Sequence, residues 1–208
     1  MFDRDNRVPF EEEVLKELKP NSEWLKELSI ISYLGIEFPK WVGHPSFTRL
    51  VYVMIRNCKN YTSLPPLGQL PSLKELFICH MDKVKFIGSE LTGTNELTID
   101  AFPSLEVLRF KNMWGWEIWS TNNEVFGAVF PCLRELHIEN CPKLIEFSLE
   151  TLPSLEILWF KNICGWKISS TNSEVSMFPC LRELHIEKCS KLIEFLLIQF
   201  MWTRLDSI

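Results

Sequence analysis

Apolar residues recur along the chain in one frame, Leu-x-x-Leu-x-(Leu/Ile/Phe)-x-x-(Cys/Met/Ile), introduced by an apolar residue and Pro. Instances begin at Leu25 (with Leu28 and Ile30), Leu50 (Val53, Ile55, Cys58), Leu73 (Leu76, Ile78, Met81) and Leu105 (Leu108, Phe110, Met113). Three more begin at Leu133 (Leu136, Ile138, Cys141), Leu155 (Leu158, Phe160, Ile163) and Leu181 (Leu184, Ile186, Cys189). By subtraction the starts lie 25, 23, 32, 28, 22 and 26 residues apart, close to the spacing of leucine-rich repeats. A longer duplication overlies the short one, since Pro103 to Phe147 recurs as Pro153 to Phe195 across a small gap. The x-Leu-x-Leu-x alternation predicts a short strand with its Leu and Ile side chains turned inward, and the ninth position closes the turn. A single unit cannot bury its own apolar face, so successive strands are expected to stack in parallel.

The fold class predicted is therefore an α/β solenoid: a leucine-rich-repeat horseshoe with a parallel β-sheet on the concave side. The segments between strands are rich in Pro, Gly and Asn, as in Leu64-Pro65-Pro66-Leu67-Gly68, Trp114-Gly115-Trp116 and Cys164-Gly165-Trp166. They have little 3.6-residue periodicity, so the convex side should be mostly irregular with few short helices. The clearest helix covers Glu11 to Leu18, with acidic residues in its first turn and Pro20 after its end, and is expected to cap the N-terminal edge. The organisation expected is an N-terminal segment at 1–24, about seven repeats over 25–195 and an off-pattern apolar tail at 196–208.

Composition narrows the classes of function. With 208 residues, 46% hydrophobic, 24% charged and a net charge of −5, the chain is neither disordered nor collagen-like. Twenty-eight leucines against 8 glycines are the register positions of the stack. The mild acidity argues against nucleic acid or an anionic membrane as partner, both of which favour a basic stripe. Met1 to Glu13 contains no apolar signal-peptide core, and the run from Phe195 to Trp202 is far shorter than the roughly 18 residues that span a bilayer. Seven Cys without a Cys-x-x-Cys pair fit reduced thiols in a cytoplasmic protein. The sequon at Asn60-Tyr61-Thr62 is therefore not expected to carry a glycan.

Several stretches carry a family resemblance. Leu25-Lys-Glu-Leu-Ser-Ile-Ile-Ser-Tyr33 with Gly35 and Phe38-Pro39-Lys40-Trp41, Leu64-Pro-Pro-Leu-Gly-Gln-Leu-Pro-Ser-Leu73 with Val84 and Ile87-Gly88, and Phe102-Pro-Ser-Leu-Glu-Val-Leu108 with Trp116-Glu117 and Trp119 do so. They resemble the leucine-rich-repeat region of plant intracellular disease-resistance proteins, the coiled-coil nucleotide-binding class. The Leu64–Leu73 stretch is the most specific of them, and the likeness covers nearly the whole chain. Members of that family also carry a signalling domain and a nucleotide-binding ATPase module, yet no Gly-x-x-x-x-Gly-Lys-(Ser/Thr) phosphate loop is present in this sequence. The chain therefore looks like the recognition part alone. The resemblance implies a role in plant defence and innate immunity. Its protein partner would be a pathogen effector, a guarded host protein, or a nucleotide-binding domain in cis or trans, held closed by an autoinhibitory contact until a ligand shifts the population.

Positions three, five and seven of each strand motif should face the concave side. From the fourth repeat to the seventh they read Val107, Glu135, Ile157, Glu183; Arg109, His137, Trp159, His185; and Lys111, Glu139, Lys161, Glu187. Strands about 4.8 Å apart make the last column an alternating ladder that neutralises itself. Trp159, with Arg109, Phe77, Met54 and Tyr52, forms a mixed aromatic and cationic strip suited to a protein ligand, in which Trp159 is an exposed anchor. Glu135-x-His137-x-Glu139 and its copy Glu183-x-His185-x-Glu187 each offer three potential metal ligands. These are spread over roughly 13 Å of one strand, whereas a metal needs convergent donors. A charge ladder is the expectation, and a metal-dependent enzyme the alternative from another class. Cys58, Cys141 and Cys189 read as buried turn closers. Cys132 and Cys180 lack an activating base, and His44 and His80 are single residues. Trp114, Trp116, Trp119 and Trp166 are expected to pack the convex side. The chain is thus read as a non-enzymatic recognition module without cofactor or metal, and the competing possibility is a decayed resistance-gene fragment.

Overall fold

The computed structural model describes residues 13–18, 20–93, 101–120, 129–148, 152–165 and 178–189. Ten strands occur among them in chain order: β1 (Glu27–Ile31), β2 (Tyr52–Arg56), β3 (Glu75–Cys79), β4 (Phe86–Ile87), β5 (Val107–Lys111), β6 (Ile118–Ser120), β7 (Glu135–Glu139), β8 (Glu146–Ser148), β9 (Ile157–Lys161) and β10 (Glu183–Glu187). Seven of them form one parallel sheet in the order β1-β2-β3-β5-β7-β9-β10, one strand for each repeat of the sequence. This is the leucine-rich-repeat solenoid that the pattern predicts.

The register follows the repeat frame residue for residue. Tyr52 pairs with Glu75, Glu75 with Val107, Val107 with Glu135, and so to Ile157 and Glu183. A slip of one residue would turn every leucine to the solvent. Val53, Leu76, Leu108 and Leu136, with Ile55, Ile78, Phe110 and Ile138, are at most 1% exposed, while the residues alternating with them on β5 and β7 are half-buried. The core is thus a spine of apolar columns, each repeat covering the next.

The Leu64–Leu73 stretch bends the chain back towards the sheet. Leu67–Gln69 make one turn of 3-10 helix, and a side chain at Gly68 would lie 2.5 Å from the Thr92 carbonyl oxygen, a distance only Gly allows. The Gly68 carbonyl accepts the Phe102 amide at 2.9 Å, which ties this turn to the following repeat. Among the described residues the convex side holds little further helix. Ser89–Thr92 form one turn, ended by Gly93 at φ 67, and residues 13–17 are helical. Leu15 in that segment packs on the core, and its carbonyl accepts the Trp41 indole N–H at 3.0 Å. The earlier part of the predicted Glu11–Leu18 helix and the whole tail at 196–208 lie outside the described residues.

One element is additional to the expectation. β4, β6 and β8 form a second, three-stranded parallel sheet, each strand starting thirteen residues after the first Leu of its repeat (Leu73 to Phe86, Leu105 to Ile118, Leu133 to Glu146). Trp119 on β6 is 1% exposed and meets Phe110 at 5.5 Å, Trp116 at 5.7 Å and Phe130 at 6.0 Å. Trp116 is fully buried, so these two indoles pack the interior as expected. Trp114 does not: it is 49% exposed, because Met113 and Trp116 on either side of the turn take the inward positions. Trp166 lies outside the described residues.

Candidate functional site

All the side chains singled out for partner binding stand on the open face of the seven-stranded sheet, because each occupies position three, five or seven of its strand; the alternate positions are buried on β2, β3, β5, β7 and β9 and only partly covered on β10, the last strand of the sheet. Tyr52 and Met54 come from β2, Phe77 from β3, Arg109 and Lys111 from β5, and Glu135, His137 and Glu139 from β7. Trp159 and Lys161 come from β9, and Glu183, His185 and Glu187 from β10.

The seventh column is a self-neutralising ladder resolved into two pairs. Lys111 Nζ lies 2.9 Å from Glu139 Oε2, and Lys161 Nζ lies 2.6 Å from Glu187 Oε2. The hydrogen bond within the second pair raises the Lys161 pKa and lowers that of Glu187. A second alternating column runs at position two, where Lys74 meets Glu106 at 2.8 Å and Arg182 meets Glu156 at 3.4 Å. With Cys132, Ser154 and Cys180 this margin lines a shallow groove.

Between the ladders, Glu135 Oε2 accepts from Arg109 at 3.2 Å and lies 3.3 Å from His137 Nε2. Burial is the main cause that holds the His137 imidazole below its ordinary pKa, and the Arg109 charge adds to it against the pull of Glu135. The His185 Nε2 lies 3.2 Å from Glu183 Oε2 in the copy. Trp159 stacks between the two imidazoles, 6.1 Å from His137 at 16° and 4.3 Å from His185 at 20°. The expectation of an exposed aromatic anchor is corrected here: Trp159 is half-buried, and both ring faces are occupied by its neighbours. Strand neighbours at one position are close enough for rings to stack, so the repeat itself builds the sandwich.

The two Glu-x-His-x-Glu strands do not converge. Glu139 is engaged by Lys111, and Trp159 separates His137 from His185. Among the described residues no cluster of three or more His, Cys, Asp or Glu is placed to hold a metal ion. Cys58, Cys141 and Cys189 are buried at the ninth position, whereas Cys132 and Cys180 are exposed. Burial pushes the Cys141 thiol up to about 12. Asn60 of the sequon donates its side-chain amide to the Leu34 carbonyl at 2.6 Å, so the atom a glycan would need is engaged inside a turn.

One column was not singled out from the sequence. Ser32, Asn57, His80, Asn112, Asn140, Asn162 and Lys188 hold the eighth position, and all have φ between 53 and 58. The Asn140 amide donates to Asn112 Oδ1 at 2.8 Å, the Asn162 amide donates to Asn140 Oδ1, and the Asn112 amide donates to His80 Nε2 at 3.0 Å. His80 is thus the terminus of an amide ladder and not a solitary residue. The signal was present: Asn recurs four residues after the second Leu, and Asn tolerates the left-handed backbone better than other chiral residues.

A family model of R13L1/DRL21 leucine-rich repeats matches residues 2–81. The chain is 40% identical over 143 residues to the putative disease resistance RPP13-like protein 1 of Arabidopsis thaliana, covering 67% of this chain and 14% of that protein. It is 34% identical over 148 residues to the putative disease resistance protein RGA4 of Solanum bulbocastanum, covering 69% of this chain and 14% of that protein. The chain therefore spans about one seventh of the length of these relatives. No solved structure matches it. Among the described residues no helix is long and apolar enough to cross a membrane. By repeat frame, sheet and matched sequence, the chain is a leucine-rich-repeat region of the kind found in plant disease-resistance proteins.

Proposed function

We propose that this chain is a non-enzymatic recognition module of plant innate immunity, acting in the cytoplasm, whose concave sheet binds a protein. The observation that carries the reading is the contrast between columns of one sheet. The buried columns hold Leu, Ile, Val and Phe, while the open column at position five runs Ser29, Met54, Phe77, Arg109, His137, Trp159, His185. A continuous surface of mixed aromatic and charged side chains on an unchanging scaffold suits a protein partner. In this reading residues 25–195 are the reader, with 1–24 and 196–208 as its flanks. The partner is an effector, a guarded host protein, or a nucleotide-binding domain that the repeats hold closed.

A pull-down tests the assignment with two baits, the native chain and a variant combining Phe77→Glu, Arg109→Glu and Trp159→Ala. The prey are a nucleotide-binding domain from a related resistance protein and a set of purified effectors. Recovery of a partner by the native chain and its loss with the variant is expected. Equal recovery by both would remove the concave face from the function.

A further inference from the structure

The two halves of the open face differ in how far their side chains are already engaged. From β5 to β10 the ionic groups partner one another: Lys111 with Glu139, Lys161 with Glu187, and Arg109 with Glu135. Trp159 has an imidazole on each face. A ligand would have to break these contacts or leave them untouched, and exchanging one ion pair for another yields little net free energy.

From β1 to β3 the situation is reversed. Glu27, Glu75 and Arg56 are exposed and form no ion pair among the described residues. The strand pairings place Tyr52 between Glu27 and Glu75, and Met54 beside Phe77. They also place Arg56 between Ile31, which is 54% exposed, and Cys79. Arg56 is close enough to Cys79 to counter the effect of burial on its thiol. Within about 13 Å, the rise from position three to position seven, this half therefore passes from the two carboxylates of Glu27 and Glu75, through Ser29, Met54 and Phe77, to the single guanidinium of Arg56.

We propose that partner recognition is concentrated on the β1–β3 half of the face. Its ligand is a protein segment that presents a basic, an apolar and an acidic side chain in that order across the strands. The basic group would meet Glu27 and Glu75, the apolar group Met54 and Phe77, and the acidic group Arg56. Charge complementarity of this kind sets orientation and association rate, and the apolar pair Met54 and Phe77 supplies the buried contact. The inference rests on the recognition reading above and narrows it to one region and one ligand chemistry.

Selection of a random-peptide display library on the intact chain tests it, with each enriched peptide then measured against single-site variants. Enriched peptides should pair basic and apolar residues. Their affinity should fall about tenfold or more with Phe77→Ala or Glu75→Lys, and by less than about threefold with Trp159→Ala or His185→Ala. Exchanging the basic residue of the peptide for Glu should restore binding to the Glu75→Lys variant. Peptides that depend on Trp159 and ignore Phe77 and Glu75 would overturn the placement while leaving the recognition module intact. Peptides that ignore all four positions, or no enrichment at all, would overturn both.

Discussion

At the scale of single residues, the eighth position of the repeat combines two requirements, a left-handed backbone and a side chain that bonds to its neighbours. Asn140, at φ 54, satisfies both, since it donates to Asn112 and accepts from Asn162. Replacing it with Ala removes the bridging amide and places Cβ in an unfavourable region. Replacing it with Gly removes only the amide. Asn140→Ala should therefore cost about 1–3 kcal/mol in urea unfolding, and Asn140→Gly measurably less. His137 supplies a different test. Its folded pKa is lowered, mainly by burial, so on acidification the unfolded chain takes up its proton first. This contribution to stability is intact above the free imidazole value near 6.5 and declines as pH falls below it. The urea midpoint of the native chain relative to His137→Gln should fall between about pH 8 and about pH 5, and a constant difference would contradict the burial of this ring. Both roles involve residues visible in the motif, but apart from the Glu135 contact of His137 the partners named here come from strands 22 or more residues away in the chain.

Among the elements, the seven strands of the main sheet were legible because five alternating residues are enough to separate an inward from an outward set. The second sheet was not. β4 has two residues, and β6 and β8 have three each, too few for any period to show. Its anchor, Trp119, looked the same in sequence as Trp114, and only packing tells them apart. Trp119→Ala should lower stability by about 3–5 kcal/mol, because it empties the space against Phe110, Trp116 and Phe130. Trp114→Ala should change it by no more than about 0.5 kcal/mol. Thermal unfolding of the two variants beside the native chain measures both.

For the whole molecule, stability accrues repeat by repeat, each unit resting only on its neighbours. Leu108 is fully buried between two strands, whereas Leu184 on β10, at the same motif position, is 39% exposed. Leu108→Ala should cost about 2–5 kcal/mol and Leu184→Ala less than about 1 kcal/mol. A native-state hydrogen-exchange comparison would place the loss at β3, β5 and β7 in the first case and at β10 in the second.

The sequence by itself determined the frame: where each repeat begins, which residues turn inward, and which positions of each strand stand on the open face. It could do so because inside and outside alternate within a strand and each repeat contains its own strand. Only the tertiary structure decided how the seventh-column ladder divides into pairs, that the imidazoles beside Trp159 cover both faces of its ring, and that an amide ladder and a second sheet join the repeats. These features depend on contacts across intervals that vary from 22 to 32 residues, and the pattern within one repeat fixes the register without encoding which side-chain atoms of neighbouring repeats meet.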